Sequence, residues 1–270
     1  MTEIEKAQYI EYYKGLRSGR AQELIVEEPL SIRVSGSPYS VVMRTPGDEI
    51  AHTAGFCLAE GIVDQPEDIV TIGFCEENET NVATLTLTNE RQERIADLLE
   101  RKGFVSQTSC GICGKEVIAD IQQILLPAAG NNLFGVDRVM ACIDALPSRQ
   151  PLYRKTRGAH AAAIFDENMN EMASAEDVGR HNALDKAIGK VFMDRRINDA
   201  CFGVMSSRVS YELIQKAGRA GLEMLVGISR PTALAVELAE SVNMTLACAK
   251  DGRLMVFCGD KRISYPEKTN

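Results

Sequence analysis

The 270-residue chain is 45% apolar and 25% charged, the balance of a soluble globular protein with enough length for one large or two ordinary domains. Its 38 acidic and 30 basic residues leave a net charge of −8, which argues against general binding to nucleic acid or anionic membrane. No apolar run approaches the roughly 20 residues that cross a bilayer. Met1–Lys6 has neither the basic nor the apolar region of a signal peptide, so a cytoplasmic place without membrane insertion is expected.

Residues 1–20 are polar with scattered aromatics (Tyr9, Tyr12, Tyr13) and read as an arm. Strand patterns follow at 23–27, 30–34 and 39–43, the last two joined by the turn Ser35-Gly36-Ser37-Pro38. Thr45-Pro46 suggests an N-cap and first turn for a helix running through His52, Phe56 and Leu58 to Gly61, with His52 structural. Residues 81–87 alternate as a strand, 91–101 have helical spacing, and a further helix is expected over 116–125. Pro127 to Gly130 breaks the pattern, which places a boundary between an α+β domain (21–128) and a second domain (129–270).

The second half alternates strands (159–165, 171–175, 201–205, 223–228, 244–249, 254–257) with helices (180–192, 211–220, 232–242). Such alternation predicts an α/β domain whose sheet is covered by helices. Between Ala145 and Phe165 there is no acid, while Arg149, Arg154, Lys155 and Arg157 crowd together. The run suits a solvated linker or a phosphate-binding site equally.

Of the eight cysteines, Cys57, Cys75, Cys142, Cys201, Cys248 and Cys258 stand alone and read as buried small apolar residues. Cys110-Gly111-Ile112-Cys113-Gly114 is different. Two thiols at this spacing can share an oxidation, hold a soft metal or pass sulfur between them. A helix starting near Cys113 would favour a thiolate through its positive end, and the flanking glycines favour reactive sulfur over a zinc pair or a simple turn.

In open α/β sheets ligands gather where strands lead into helices. Three polar junctions fall there: Glu176-Asp177-Val178-Gly179-Arg180-His181, Ser206-Ser207-Arg208 and Gly227-Ile228-Ser229-Arg230. Ser206, Ser207 and Arg208 suit a phosphate, and Asp177 a base or ribose edge. His160 opens an apolar strand, where a histidine is a core residue unless a pocket opens beside it. A zinc deaminase would need a glutamate at Ala162 and a Pro-Cys-x-x-Cys downstream. Both are missing, so no metal site is expected.

Taken together these motifs resemble the formate dehydrogenase accessory sulfurtransferase family (FdhD). The likeness spans nearly all of the chain after residue 20. It includes Glu28-Pro29-Leu30, Ala54-Gly55-Phe56, Ala59-Glu60-Gly61-Ile62, the Cys110–Gly114 stretch, His160-Ala161-Ala162, Glu176–His181 with Ala183–Lys186, Ser206–Arg208 with Ser210-Tyr211-Glu212, and Thr232–Glu237. The resemblance implies a smaller α+β N-terminal domain carrying the cysteine loop and a three-layer, cytidine deaminase-like C-terminal domain. It implies a persulfide carrier that accepts sulfur from a cysteine desulfurase on Cys110, with Cys113 assisting. The acceptor it implies is the bis(molybdopterin guanine dinucleotide) molybdenum cofactor of formate dehydrogenase.

By the same resemblance Cys248, Ala249, Lys250, Asp251, Gly252 and Arg253 contact the cofactor, and a homodimer is expected to meet its two GDP-like ends. The chain departs from its relatives at Arg157 and Ala159, and at Cys248 and Ala249, where an aromatic and a small residue are usual. Two rival readings use the same residues: a thiol–disulfide oxidoreductase, and a cofactor chaperone without sulfur chemistry. Apolar helix faces (Ala233, Val236 and Leu238, with Leu213 and Ala217) are candidate dimer contacts.

Overall fold

Period-two burial defines a first layer. In the computed structural model, which describes residues 2–75, 81–96, 99, 125 and 127–265, Leu30, Ile32 and Val34 of β3 (Glu28–Val34) point inward. Strand β3 lies in a four-stranded sheet with β4 (Ser37–Arg44), β5 (Ile69–Cys75) and β6 (Val82–Leu87), in the order β4-β3-β6-β5. Residues 1–20 are not an arm. β1 (Ile4–Tyr13) and β2 (Leu16–Ile25) pair residue for residue into an antiparallel ribbon. Lys14-Gly15 makes its turn with both φ positive, the two-residue geometry that matches strand twist.

Helix α1 (Glu49–Ala59) begins later than its sequence suggests, after Asp48 in the left-handed region. Thr45 is drawn into the interior instead. Its N–H donates to Asp177 Oδ2 at 3.0 Å and its hydroxyl accepts from the Val178 N–H at 3.0 Å, so it cannot cap α1. The short α2 (Asn89–Arg94) carries Arg91, which donates to the carbonyls of Gly61 (2.7 Å) and Ile62 (2.9 Å). Arg219 donates to Leu58 O at 2.9 Å and Val63 O at 3.0 Å. Two guanidinium groups thus satisfy the carbonyls around the end of α1, where cations also oppose the helix dipole.

The second sheet contains β8 (His160–Asp166), β9 (Glu171–Asp177), β10 (Ala200–Met205), β11 (Met224–Gly227), β12 (Thr245–Lys250) and β13 (Arg253–Cys258), in the order β13-β12-β11-β10-β8-β9. β10, β11 and β12 are parallel; the hairpin partners β8 and β13 run against them. Ala162, Ile164, Leu225 and Leu246 face one core with α5 (Arg180–Met193), α6 (Tyr211–Arg219) and α7 (Ala233–Ser241). Ala161, Ala163, Phe165, Val226 and Ala247 face a second core with α3 (Val136–Ala145). Helices therefore cover both faces, as alternation predicted. Two short parallel strands, β7 (Phe134–Gly135) and β14 (Ile263–Ser264), complete the four sheets formed by the described residues.

Helix α1 also links the two large sheets. Leu30, Ile32 and Leu85 share one core with Leu184, Ile188 and Leu213. At the crossing of α1 and α5, a Cβ on Gly55 would lie 1.9 Å from the Asp185 carbonyl oxygen, and one on Gly189 1.8 Å from that of Ala51. Only glycine permits that approach.

Three expectations need correction. The run from 145 to 165 is not a linker: it contains α4 (Pro151–Thr156), whose last turn holds Arg154 and Lys155. Leu213, Ala217 and Leu238 are core residues, unavailable to a second copy of the chain. Cys75 is exposed, whereas the other five isolated cysteines are buried. Burial raises the Cys57 thiol and pushes that of Cys201 up to about 12, so both stay inert thiols. No helix among the described residues is long and apolar enough to cross a membrane.

Candidate functional site

The parallel run of β9, β10, β11 and β12 brings their carboxyl ends to one edge of the sheet, beside the amino end of β8. Every described candidate residue lies along or just beneath that edge. Lys250 ends β12, Arg230 and Arg208 follow β11 and β10, His160 opens β8, and Arg180 and His181 start α5 after β9. Cys110 and Cys113, the helix expected over 116–125 save its last residue and most of the span 97–101 lie outside the described residues.

At the β10–β12 end is a cleft of about 810 Å³ lined by Arg208, Ser229, Arg230, Cys248, Ala249, Lys250, Asp251 and Gly252, with Met140, Ile143, Asp144 and Pro147 on its other wall. This volume lies within the range of small-molecule sites. Asp251 (φ 53°) and Gly252 (φ 71°) turn the chain back so that Lys250 pairs with Arg253 across the hairpin. Arg253 is exposed at the start of β13 and is not among the residues lining the cleft. Gly227 lets the strand ends converge, since a Cβ there would stand 2.8 Å from Ser207 O. Cys248 is buried at the cleft wall; burial raises its thiol pKa, and Arg230 and Lys250 partly offset this.

The wall from α3 was missed in the sequence. Its signal was present, because Val136, Val139, Met140 and Ile143 have helical apolar spacing.

A second polar group lies towards β9. The pKa of His160 is lowered by burial and then by the charges of Arg180 and His181. Arg180 Nε is buried without a hydrogen-bond partner among the described residues. His181 Nε2 lies 3.4 Å from Ser210 Oγ and 3.4 Å from Glu212 Oε2. Hydrogen bonding from His181, with a further bond from Ser210, overcomes burial and holds Glu212 down at about 2.

Several candidates are structural. Asp177 is fully buried, and its carboxylate accepts from Thr45 N (3.0 Å), Gly179 N (2.8 Å), Asn182 Nδ2 (2.9 Å) and Lys186 Nζ (2.7 Å). Nothing remains for a base or ribose edge, so the role expected for Asp177 is corrected to that of a brace beneath the site. Ser206 Oγ accepts from the Ala161 N–H at 2.8 Å and so extends the β8–β10 ladder. The buried Ser207 donates to Arg208 O at 2.9 Å. Of the basic run, Arg149 pairs with Glu171, Arg154 donates to Pro147 O and Ser148 O, and Arg157 lies over the Tyr153 ring. These local partners account for the three arginines without a ligand, and Lys155 is exposed on the last turn of α4.

The edge therefore presents the exposed cations Arg208, Arg230 and Lys250 over a cleft whose lining also holds Asp144 and Asp251; guanidinium and ammonium groups are the side chains that pair with phosphate oxygens. No group of three or more His, Cys, Asp or Glu able to hold a metal occurs among the described residues.

The FdhD/NarQ family model matches residues 25–264. The chain is 38% identical over 256 residues to the sulfur carrier proteins FdhD of Mycobacterium tuberculosis and Mycobacterium bovis, covering 91% of this chain and 93% of theirs. It is 37% identical to that of Xanthomonas euvesicatoria pv. vesicatoria over 255 residues, 93% of this chain and 89% of the relative. Its fold matches the crystal structure of a proposed formate dehydrogenase accessory protein from Desulfotalea psychrophila, with TM-score 0.78 and 21% identity over 97% of this chain and 100% of that one.

Proposed function

Since the chain belongs to the FdhD/NarQ family, we propose that it is a sulfur carrier serving formate dehydrogenase. In this reading it accepts persulfide sulfur from a cysteine desulfurase on Cys110. It delivers that sulfur to the bis(molybdopterin guanine dinucleotide) molybdenum cofactor, its acceptor substrate. The observation that carries the reading is the convergence of Arg208, Arg230 and Lys250 on one cleft in a chain of net charge −8. Cations with hydrogen-bond donors at strand ends suit the diphosphates of a guanine dinucleotide.

The Cys110 thiolate attacks the outer sulfur of the donor's persulfide. The donor's S–S bond breaks, its thiolate leaves, and a persulfide forms on Cys110 without net oxidation. Cys113 stabilises or resolves that persulfide. The exposed Arg208 and Lys250 orient the phosphates of the acceptor, while Asp177 and Lys186 brace the Thr45 loop and the turn into α5 that carries Arg180 and His181.

Mass spectrometry after incubation with a cysteine desulfurase and cysteine tests the first step. One added sulfur atom is expected on the peptide holding Cys110 and Cys113, and none in Cys110→Ala. A wild-type peptide that gains no sulfur would reject the reading, leaving a chaperone that binds the cofactor without sulfur chemistry.

A further inference from the structure

The six-stranded sheet has a second concave end. β10, β11 and β12 run parallel, so their amino ends gather at the rim opposite the cationic cleft, about 15–20 Å away at roughly 3.3 Å per residue. There a cavity of about 620 Å³ opens, within the range of small-molecule sites. Its lining includes the buried Cys201, Leu222, Val242 and Met244. Burial, and then the charges of Glu223, Asp166 and Glu167, keep the Cys201 thiol protonated, so this part of the surface is uncharged. One wall is the segment from Pro127 to Gly130. Ala128 N donates to Val242 O at 2.8 Å, its carbonyl accepts from Asn243 Nδ2 at 2.9 Å, and Arg262 donates to Gly130 O at 3.1 Å. A Cβ on Gly130 would lie 2.0 Å from Glu223 Oε1, so glycine lets this wall close on the buried carboxylate. The cavity is thus held in shape by internal bonds.

The charged groups around it divide into committed and free. Arg219 is taken by Leu58 O, Val63 O and Asp64. Glu223 accepts from Asn132 N and Nδ2 and lies 3.4 Å from Arg262. Asp166 accepts from Asn168 N, Asn170 N and Asn170 Nδ2 within its own turn. Two exposed charges remain. Glu167, on the β8–β9 turn, has no side-chain hydrogen bond or ion pair among the described residues. Arg196, on the loop between α5 and β10, reaches Asp199 through Nε alone, at 3.3 Å, so its terminal nitrogens are open. Against burial, hydrogen bonds from Asn170 and Asn168 and then the charge of Arg196 hold the Asp166 carboxyl below its ordinary range. The guanidinium therefore stands near the turn that carries Glu167, yet the two do not pair.

A phosphate here would meet Asp166, Glu167, Asp199 and Glu223, so a nucleotide is better placed at the other edge. A simple cation would leave Arg196 unused, and a simple anion would leave Glu167 unused. A zwitterion satisfies both through charge-assisted hydrogen bonds. We infer that this cavity binds a free α-amino acid with an apolar side chain. Its carboxylate lies on Arg196, its ammonium on Glu167, and its side chain against Leu222, Val242 and Met244. The flexible thioether of Met244 lets the apolar surface fit side chains of different shape. The inference is independent of the sulfur-carrier reading.

Titration calorimetry of the full chain with L-leucine, isoamylamine and isocaproate tests it. The two analogues keep the leucine side chain and each lack one of its charged groups. L-Leucine is expected to bind with a Kd of about 0.1–1 mM, and each analogue roughly tenfold or more weakly. In Glu167→Gln, leucine should fall to the wild-type affinity of isocaproate; in Arg196→Met, to that of isoamylamine. Both side chains are exposed, so thermal unfolding of the variants should match the wild type. GDP at millimolar concentration should leave leucine binding unchanged, because the two sites lie at opposite rims. No leucine binding at millimolar concentration, equal affinity for the three probes, or indifference to both variants would each overturn the site. Competition by GDP would overturn its location.

Discussion

Gly55 of α1 and Gly189 of α5 pass each other backbone to backbone, each taking the place where a side chain would strike a carbonyl of the other helix. Around this crossing lie charges taken out of water. Lys216 Nζ donates to Asp185 at 2.9 and 2.8 Å and stands 5.6 Å from the centre of the Phe56 ring. The crossing fixes α5, and α5 presents Arg180 and His181 at the sheet edge. Placement of the site therefore depends on a contact made by residues with no side chain.

Gly189→Ala should destabilise the fold by about 1–3 kcal/mol or more, the usual cost of overpacking, because the atoms its new Cβ would strike, in Ala51 and Gly55, are backbone. Chemical denaturation measures it. A helix-propensity argument predicts the opposite sign, since alanine is the better helix former. An unchanged or higher midpoint would show that the helices can separate without loss.

Replacing Lys216 by Met should cost about 3–5 kcal/mol, because it leaves the buried Asp185 carboxylate without its partner. Burial already pushes the pKa of Asp185 up against the pull of Lys216. Changing both residues to Leu should recover much of the loss. Thermal unfolding of the three variants separates an unpaired charge from a volume effect.

Asp177→Asn should lower stability by about 3–5 kcal/mol through loss of the Lys186 ion pair. It should leave the GDP affinity of the folded protein unchanged, because the carboxylate is fully committed to internal donors. Calorimetry on the folded fraction decides the point: a large loss of affinity would return Asp177 to the ligand site.

Arg208→Ala should weaken GDP binding roughly 10- to 150-fold, equivalent to about 1.5–3 kcal/mol for one charge-assisted hydrogen bond. The side chain is exposed, so stability should hold. Titration calorimetry that finds no wild-type affinity at millimolar GDP would remove the nucleotide site.

Glu212 gives the fold a pH dependence of defined sign. Its folded pKa, about 2, lies below the ordinary 4.5, so its contribution is present above pH 4.5 and lost as pH falls towards 2. Partial exposure limits the effect to about 1 kcal/mol. In Glu212→Gln, denaturation midpoints should be lower at neutral pH and fall less between pH 4.5 and 2. A variant with the wild-type slope would show that the His181 pairing contributes nothing.

Local chemistry was enough to read most elements of the second half. Gly221 and Pro231 punctuate α6 and α7, and the Asp166–Asn170 and Lys250–Arg253 turns join antiparallel strands at or near the predicted positions. The ordered motifs were enough for the family, and strand–helix alternation for the sheet edge to which His160, Arg180, Arg208 and Lys250 come. What a side chain does at that edge was not legible. Asp177 and Arg208 look alike as polar loop residues; one is braced inside the protein and the other is free on a cleft. The partners that decide this are remote: Thr45, which binds Asp177, is 132 residues away in the chain. The ribbon was missed for a related reason. Its strands bury so little that polarity hides their pairing, which backbone hydrogen bonds and the Lys14-Gly15 turn set instead. Periodicity reports which face is apolar, and only the folded chain determines what covers it.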